Sequence, residues 1–176
     1  MELIEIKEGH KALEDIKNLY LRAFPKSERK DFNLILKNVA LGKMKILAAY
    51  DGKFVGEAIL ILDGDIVLLD YLAISDEVRG GGYGSKILAE LLKLYDKERL
   101  ILEIESTLDD DDPIKHRRKN FYLRNGFKLL DYEVVLFGVR MQLMSDGSMV
   151  SFEEYFNVYK HLFNTLDLSR IKLLEK

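Results

Sequence analysis

The chain has 176 residues, of which 48% are apolar and 32% charged, with 12 Gly, 2 Pro and no Cys. This composition excludes disordered, collagen-like and disulfide-scaffold proteins and leaves enough apolar side chains for a substantial core. The formal charge is −3, from 27 Lys and Arg against 30 Asp and Glu, so no overall basic field marks the chain for nucleic acid.

The opening Met1-Glu2-Leu3-Ile4-Glu5-Ile6-Lys7 has neither a basic start nor an unbroken apolar stretch. No secretory signal is recognised, and a cytoplasmic location is expected. The longest apolar runs, such as Ala58 to Leu62, are about five residues, against roughly 20 for a membrane-spanning helix. With no Cys and only His10, His116 and His161, the sequence offers no thiolate nucleophile and no ligand set at metal spacing. No repeat or linker interrupts the pattern. A single domain over 1–176 is expected, with 145–176 as a C-terminal helical extension.

Leu3, Ile4 and Ile6 predict a first strand, and Ala12, Leu13, Ile16, Leu19, Tyr20 and Ala23 recur at helical spacing up to Pro25. Asp31 is placed to cap a second helix carrying Leu34, Ile35, Leu36 and Val39, which ends near Gly42. The β-rich runs 46–50, 54–62 and 66–74 are separated by Asp51-Gly52 and Asp63-Gly64, which predicts an antiparallel meander. Ile87, Leu88, Leu91, Leu92 and Tyr95 give a third helix, 100–105 reads as a strand, and 113–125 as a helix stopped by Gly126. Two strands, over 127–130 and 134–144, finish the sheet. Ser151 and Glu154 have capping-box spacing ahead of Phe152, Tyr155, Phe156, Val158, Tyr159, Leu162 and Phe163. The tail therefore reads as an aromatic helix that covers a sheet edge or the second subunit of a homodimer.

The most informative stretch runs from Leu72 through Ala73-Ile74-Ser75-Asp76-Glu77-Val78-Arg79-Gly80-Gly81-Gly82-Tyr83-Gly84-Ser85, a strand emptying into a glycine-dense turn that opens an amphipathic helix. Backbone N–H groups at a helix start lack intrahelical partners and carry the positive end of the dipole, so an anion is favoured there. Two other phosphate loops fail on spacing. Gly84-Ser85-Lys86 is not the Gly-Lys-Ser/Thr order of a P-loop, and a dinucleotide fingerprint from Gly80 needs Gly where Ser85 stands. A plain connector is the remaining alternative, but so many glycines cost backbone entropy that a connector has no use for.

Arg79-Gly80-Gly81-Gly82-Tyr83-Gly84 resembles the Arg/Gln-x-x-Gly-x-Gly/Ala acetyl-CoA loop of the GNAT N-acetyltransferase superfamily. Phe121-Tyr122-Leu123-Arg124-Asn125-Gly126-Phe127 is similar to the Phe-Tyr-x-x-x-Gly-Phe block of the same superfamily, in the expected order. The likeness covers roughly residues 1–144. It implies an α/β fold of the acyl-CoA N-acyltransferase kind: a mostly antiparallel sheet splayed at its centre, helices on both faces, and here an added C-terminal helix. It also implies that Arg79, Gly80, Gly82, Tyr83, Gly84 and Ser85 grip the pyrophosphate of acetyl-CoA. Leu72, Ala73 and Ile74 then offer strand-edge backbone to the pantetheine arm.

The resemblance makes Tyr122 the acid that protonates the departing thiolate and Glu103 the first choice of base. The residues themselves leave the carboxylates open. Glu103 and Glu105 alternate onto one side of their strand with Ile101. There they either sustain a raised pKa by mutual repulsion or pair with Arg117 and Arg118. Asp70 on a neighbouring strand competes for the role of base. Asp109 to Asp112 either attract a cationic acceptor or form a solvated loop before the next helix. Lys115 stands where the family commonly has Asn, and with His116, Arg117, Arg118 and Lys119 it either meets the 3′-phosphate of coenzyme A or forms a solvated face. The implied activity is acetyl transfer from acetyl-CoA directly to a primary amine of a small molecule, without metal, nucleic acid or membrane. Lacking Cys, the chain has no thiol for a covalent acetyl-enzyme. The alternatives are a protein amino terminus or lysine as acceptor, or a catalytically silent coenzyme A sensor.

Overall fold

The protein is described here by a computed structural model over residues 1–108, 110–163 and 167–174. The chain divides into two compact units, Met1–Leu62 with Leu69–Leu94, and Asp63–Leu68 with Tyr95–Lys176.

In the first unit, helix α1 (Leu13–Ala23) buries Ile16, Leu19 and Tyr20 and ends where Phe24 turns extended. The residue before a proline is pushed out of the helical region, and Pro25 follows. Helix α2 (Phe32–Ala40) is capped as the sequence predicts, with Asp31 Oδ1 accepting from the N–H of Asn33 at 2.8 Å and of Leu34 at 3.4 Å. Strand β1 (Glu2–Ile6) pairs antiparallel with β2 (Met44–Tyr50), Ile6 facing Ile46, and β2 pairs antiparallel with β3 (Phe54–Asp63), Met44 facing Ile61. Every residue from Val55 to Ile61 is buried, the signature of a strand covered on both faces. Strand β4 (Ile66–Ile74) contributes its latter part to this unit, where Ser75 N–H donates to the Val55 carbonyl at 2.9 Å.

Helix α3 (Tyr83–Leu94) buries Ile87, Leu88 and Leu91. Its approach is set by Gly56. A Cβ built there would stand 2.4 Å from the Ala73 carbonyl oxygen and 3.2 Å from the side chains of Ile74 and Ile87. Gly56→Ala is therefore expected to cost about 1–3 kcal/mol through displaced backbone. Urea unfolding checks this, and an unchanged midpoint would contradict it.

In the second unit, β5 (Arg99–Glu105), β7 (Val139–Ser145), β6 (Lys128–Leu136) and β8 (Ile171–Leu174) lie side by side in that order, each pair antiparallel. Helix α4 (Pro113–Arg124) begins with proline in its first turn. Helix α5 (Phe152–Leu162) starts in the predicted capping box, Ser151 and Glu154 each satisfying the other's backbone. Arg99 fastens this end: its guanidinium donates to both oxygens of Asp65, to Glu154 and to the Met149 carbonyl.

Two expectations are corrected in this unit. The gap predicted between strands at 131–133 is a register shift inside a continuous β6, and the real hairpin turn is Phe137-Gly138. Both turn residues have positive φ, 50° and 95°, as a two-residue turn joining twisted strands requires. Phe is unusual in this conformation. It is held by hydrogen bonds with Arg170 in both directions, and the Arg170 guanidinium lies 5.5 Å from its ring centre. Residues 145–176 are also not helical throughout: α5 ends at Leu162, and 171–174 form β8 against β6, Leu136 facing Ile171. The alternation in Ile171-Lys172-Leu173-Leu174 is too short to announce a strand without its partner.

Candidate functional site

The end of β4 passes through Ser75 and a 3₁₀ turn, Asp76–Val78, into Arg79-Gly80-Gly81-Gly82 and the start of α3. Gly80 and Gly82 have φ of 83° and 72°, and a Cβ on either would meet nothing within 4 Å. These glycines thus serve the backbone conformation, and the space above them is open. Turns of this kind aim successive N–H groups at a common point. The Gly82 carbonyl accepts the helical bond from Lys86 N–H at 3.2 Å. The N–H groups of Tyr83, Gly84 and Ser85 are left without an acceptor inside the helix.

Positive side chains flank the turn. Arg79 is held 3.0 Å from Asp76, and Lys86 Nζ lies 4.5 Å from the Tyr83 ring centre and 3.5 Å from Asp51. Lys86 was not singled out by sequence reasoning, although it lies one turn from Gly82 on α3. The open turn, the helix start that follows it and the adjacent cations fit a diphosphate group.

Along β4, Asp70, Leu72 and Ile74 are half-buried while Tyr71 and Ala73 are buried, the alternation of a strand. Leu72, Ala73 and Ile74 lead directly into the turn. Asp70 is engaged by Lys30 Nζ at 2.7 and 2.8 Å.

Tyr122 stands near the end of α4, its ring edge-on to Phe121 at 5.1 Å and to Phe127 at 5.9 Å. Burial pushes its phenol up to about 12, against a smaller opposing effect of the Arg118 charge. The group keeps its proton at neutral pH. The basic face of α4 is largely committed to local pairs. Lys115 lies 2.7 Å from Asp110 and 3.3 Å from Glu105, and Arg118 lies 3.7 Å from Glu105. Of the acidic run, Asp112 caps α4 through Ile114 N–H and Asp110 is held below the usual carboxylate range by its bond to Lys115. Asp109 lies outside the described residues.

Glu103 and Glu105 share a strand side in the sequence pattern but not an environment. Glu105 takes the ion pairs with α4. One oxygen of Glu103 accepts from two phenols of α5, Tyr155 Oη at 2.6 Å and Tyr159 Oη at 2.8 Å. Both tyrosine side chains are fully buried, and the Tyr155 phenol is pushed up first by that burial and then by the Glu103 charge. The bond set fastens α5 onto β5.

Sequence reasoning missed a further carboxyl. Glu57 on β3 has no accessible surface, and neither of its oxygens has a hydrogen-bond partner. Desolvation raises its pKa to about 9. The visible signal is a single acid inside the apolar run Val55–Leu62. Among the described residues no cluster of three His, Asp or Glu is arranged to hold a metal ion, and no helix is long and apolar enough to cross a membrane.

The "Putative acetyltransferase YjbC" of Bacillus subtilis (strain 168) is 39% identical over 62 residues, 35% of this chain and 31% of that protein, so the match spans about a third of the relative. A solved structure described as a GNAT-family acetyltransferase of Bacteroides thetaiotaomicron has a TM-score of 0.78 at 21% identity, over 92% of this chain and 96% of its own. An aminoglycoside 6′-N-acetyltransferase solved with coenzyme A has a TM-score of 0.64 at 15% identity, over 86% and 100%. At these identities the two structures establish the fold. The family model of the acetyltransferase (GNAT) domain matches residues 43–129, which hold β2 to α4 and both sequence blocks. Residues 43–129, just under half of the chain, thus match the acetyltransferase (GNAT) domain, and the fold around them is that of the GNAT-family structures.

Proposed function

We propose that the chain is an N-acetyltransferase acting as one domain over 1–176, which moves an acetyl group from acetyl-CoA directly to a primary amine of a small molecule. The observation that carries this reading is the open glycine turn at the start of α3, with Gly80 and Gly82 at positive φ and nothing within 4 Å of a Cβ built on either. In the proposal, Arg79, Gly80, Gly82, Tyr83, Gly84 and Ser85 hold the diphosphate through main-chain N–H groups and nearby positive charge. Leu72, Ala73 and Ile74 pair with the amide-bearing arm as an added strand would. When bound, acetyl-CoA supplies an activated acyl thioester.

The acceptor nitrogen must be neutral to attack, and the departing sulfur needs a proton. Tyr122 is the proposed acid: a phenol whose pKa lies near 12 retains its proton until a thiolate develops beside it. Glu103 is the proposed base, and two phenols donate to one of its oxygens. Support for an amine acceptor comes from the aminoglycoside acetyltransferase that shares the fold. Thiol release from acetyl-CoA, followed across small primary amines, aminoglycosides and lysine peptides, tests the reading. Turnover with a small amine is the expected result. Turnover with peptides alone moves the acceptor to protein, and binding without turnover across the panel makes the chain a coenzyme A sensor.

A further inference from the structure

Beside the stretch proposed to hold the pantetheine arm lies a buried ion pair that this mechanism does not use. Lys30 Nζ sits 2.7 and 2.8 Å from the two carboxylate oxygens of Asp70 and 5.2 Å from the Tyr71 ring centre. The two charged side chains retain only 19% and 5% of their accessible surface. Asp70 and Tyr71 are successive residues of β4, and the one Lys30 ammonium lies close to both. Asp70 is one pleat repeat, roughly 6.8 Å, from Leu72 on the same face.

The backbone around Lys30 is pinned independently of its side chain. Tyr71 Oη donates to the Glu28 carbonyl at 2.9 Å and accepts from Lys30 N–H at 3.0 Å. Tyr20 Oη donates to the Lys30 carbonyl at 2.9 Å. Tyr20 and Phe24 fix the Tyr71 ring in turn, with centroids 4.9 and 4.8 Å away. The Lys30 side chain can therefore swing out about its own single bonds while the segment that carries it, and the carboxylate and ring it leaves, stay in place.

We propose that Asp70 and Tyr71 form the subsite for the acceptor's ammonium, and that Lys30 is an internal surrogate which the acceptor displaces. The inference rests on the acetyltransferase reading above and deepens it. A carboxylate accepting through both oxygens, with an aromatic ring beside it, recognises a primary ammonium by charge and cation–π attraction. The surrogate also describes the acceptor: a primary amine on an unbranched alkyl stem, as lysine itself presents. Occupancy by Lys30 lowers the apparent affinity for such an amine by the fraction of molecules in which the latch is closed.

The probe is n-butylammonium chloride, compared with sodium chloride at equal concentration. Lys30→Ala uncovers the carboxylate, and its melting temperature rises more in the butylammonium salt than in the sodium salt. The double variant Lys30→Ala/Asp70→Asn melts alike in both. In turnover, Lys30→Ala lowers KM for an unbranched primary amine about tenfold and Asp70→Asn raises it. Equal responses of the single and double variants, or no salt discrimination in either, overturn the proposal. Should Lys30→Ala fail to fold, Lys30→Ser makes the same comparison. Calorimetry with coenzyme A, run in parallel, separates the failures: binding kept without salt discrimination removes the subsite alone, whereas binding absent from the parent chain removes the acetyl-donor reading.

Discussion

At pH 7 the Glu57→Gln variant should be more stable than the parent by about 3 kcal/mol, and the two should converge as pH falls below about 4.5. Glu57 has no accessible surface and no hydrogen-bond partner on either oxygen, so its charged form is strongly disfavoured in the folded chain. The folded carboxyl holds its proton to about pH 9, whereas the unfolded one releases it near its ordinary value of 4.5. Between those limits the folded state binds more protons than the unfolded state. Stability is therefore fullest at the acidic end and falls as pH rises through the window, the reverse of the usual salt-bridged carboxylate. Glutamine reproduces the neutral acid in size and polarity and cannot titrate, so its urea midpoint should lose this slope. Parallel pH profiles for parent and variant would contradict the assignment.

Tyr122→Phe is the second large expected effect. Removing a positioned acid lowers kcat by about 10²–10⁴-fold, because the sulfur must then leave unprotonated or draw on water. The phenyl ring preserves the edge-on contacts with Phe121 and Phe127, so stability and coenzyme A affinity should change little. Glu103→Gln is the informative contrast. It keeps an acceptor for the Tyr155 and Tyr159 hydroxyls, so a kcat loss at unchanged stability marks a base. A loss of stability at unchanged kcat assigns Glu103 to fastening α5. An unaltered kcat in Tyr122→Phe would remove the tyrosine from the chemistry.

The parts of the fold that were legible are those in which local chemistry and burial agree. Asp31 caps α2, Pro113 opens α4 and Ser151 with Glu154 forms a capping box, since each needs only neighbours within one turn. The glycine turn was legible because φ near +70° to +80° leaves few residues to choose from. What escaped depends on partners distant in sequence. The Phe137-Gly138 turn is paid for by Arg170, and β8 exists only against β6. The sequence makes Glu103 a base candidate or a partner of Arg117 and Arg118, and its bonds to Tyr155 and Tyr159, more than fifty residues later, leave no local signal. Lys30 and Asp70, forty residues apart, carry no shared pattern at all. Glu57 was visible as a lone acid among apolar residues, but only the depth of its burial makes it exceptional.

In the proposed function, main-chain donors of the 79–85 turn clasp the diphosphate of coenzyme A. Isothermal titration of coenzyme A into the parent chain and into Gly82→Val addresses it most directly. A β-branched residue is strained at a φ of 72°, and the turn is exposed, so the variant should fold while its N–H groups no longer converge. Saturable binding by the parent and a loss of at least about tenfold in affinity for the variant are expected, with acetyl-CoA competing for the same site. Absence of binding heat in the folded parent, or equal affinity in the two chains, would contradict it.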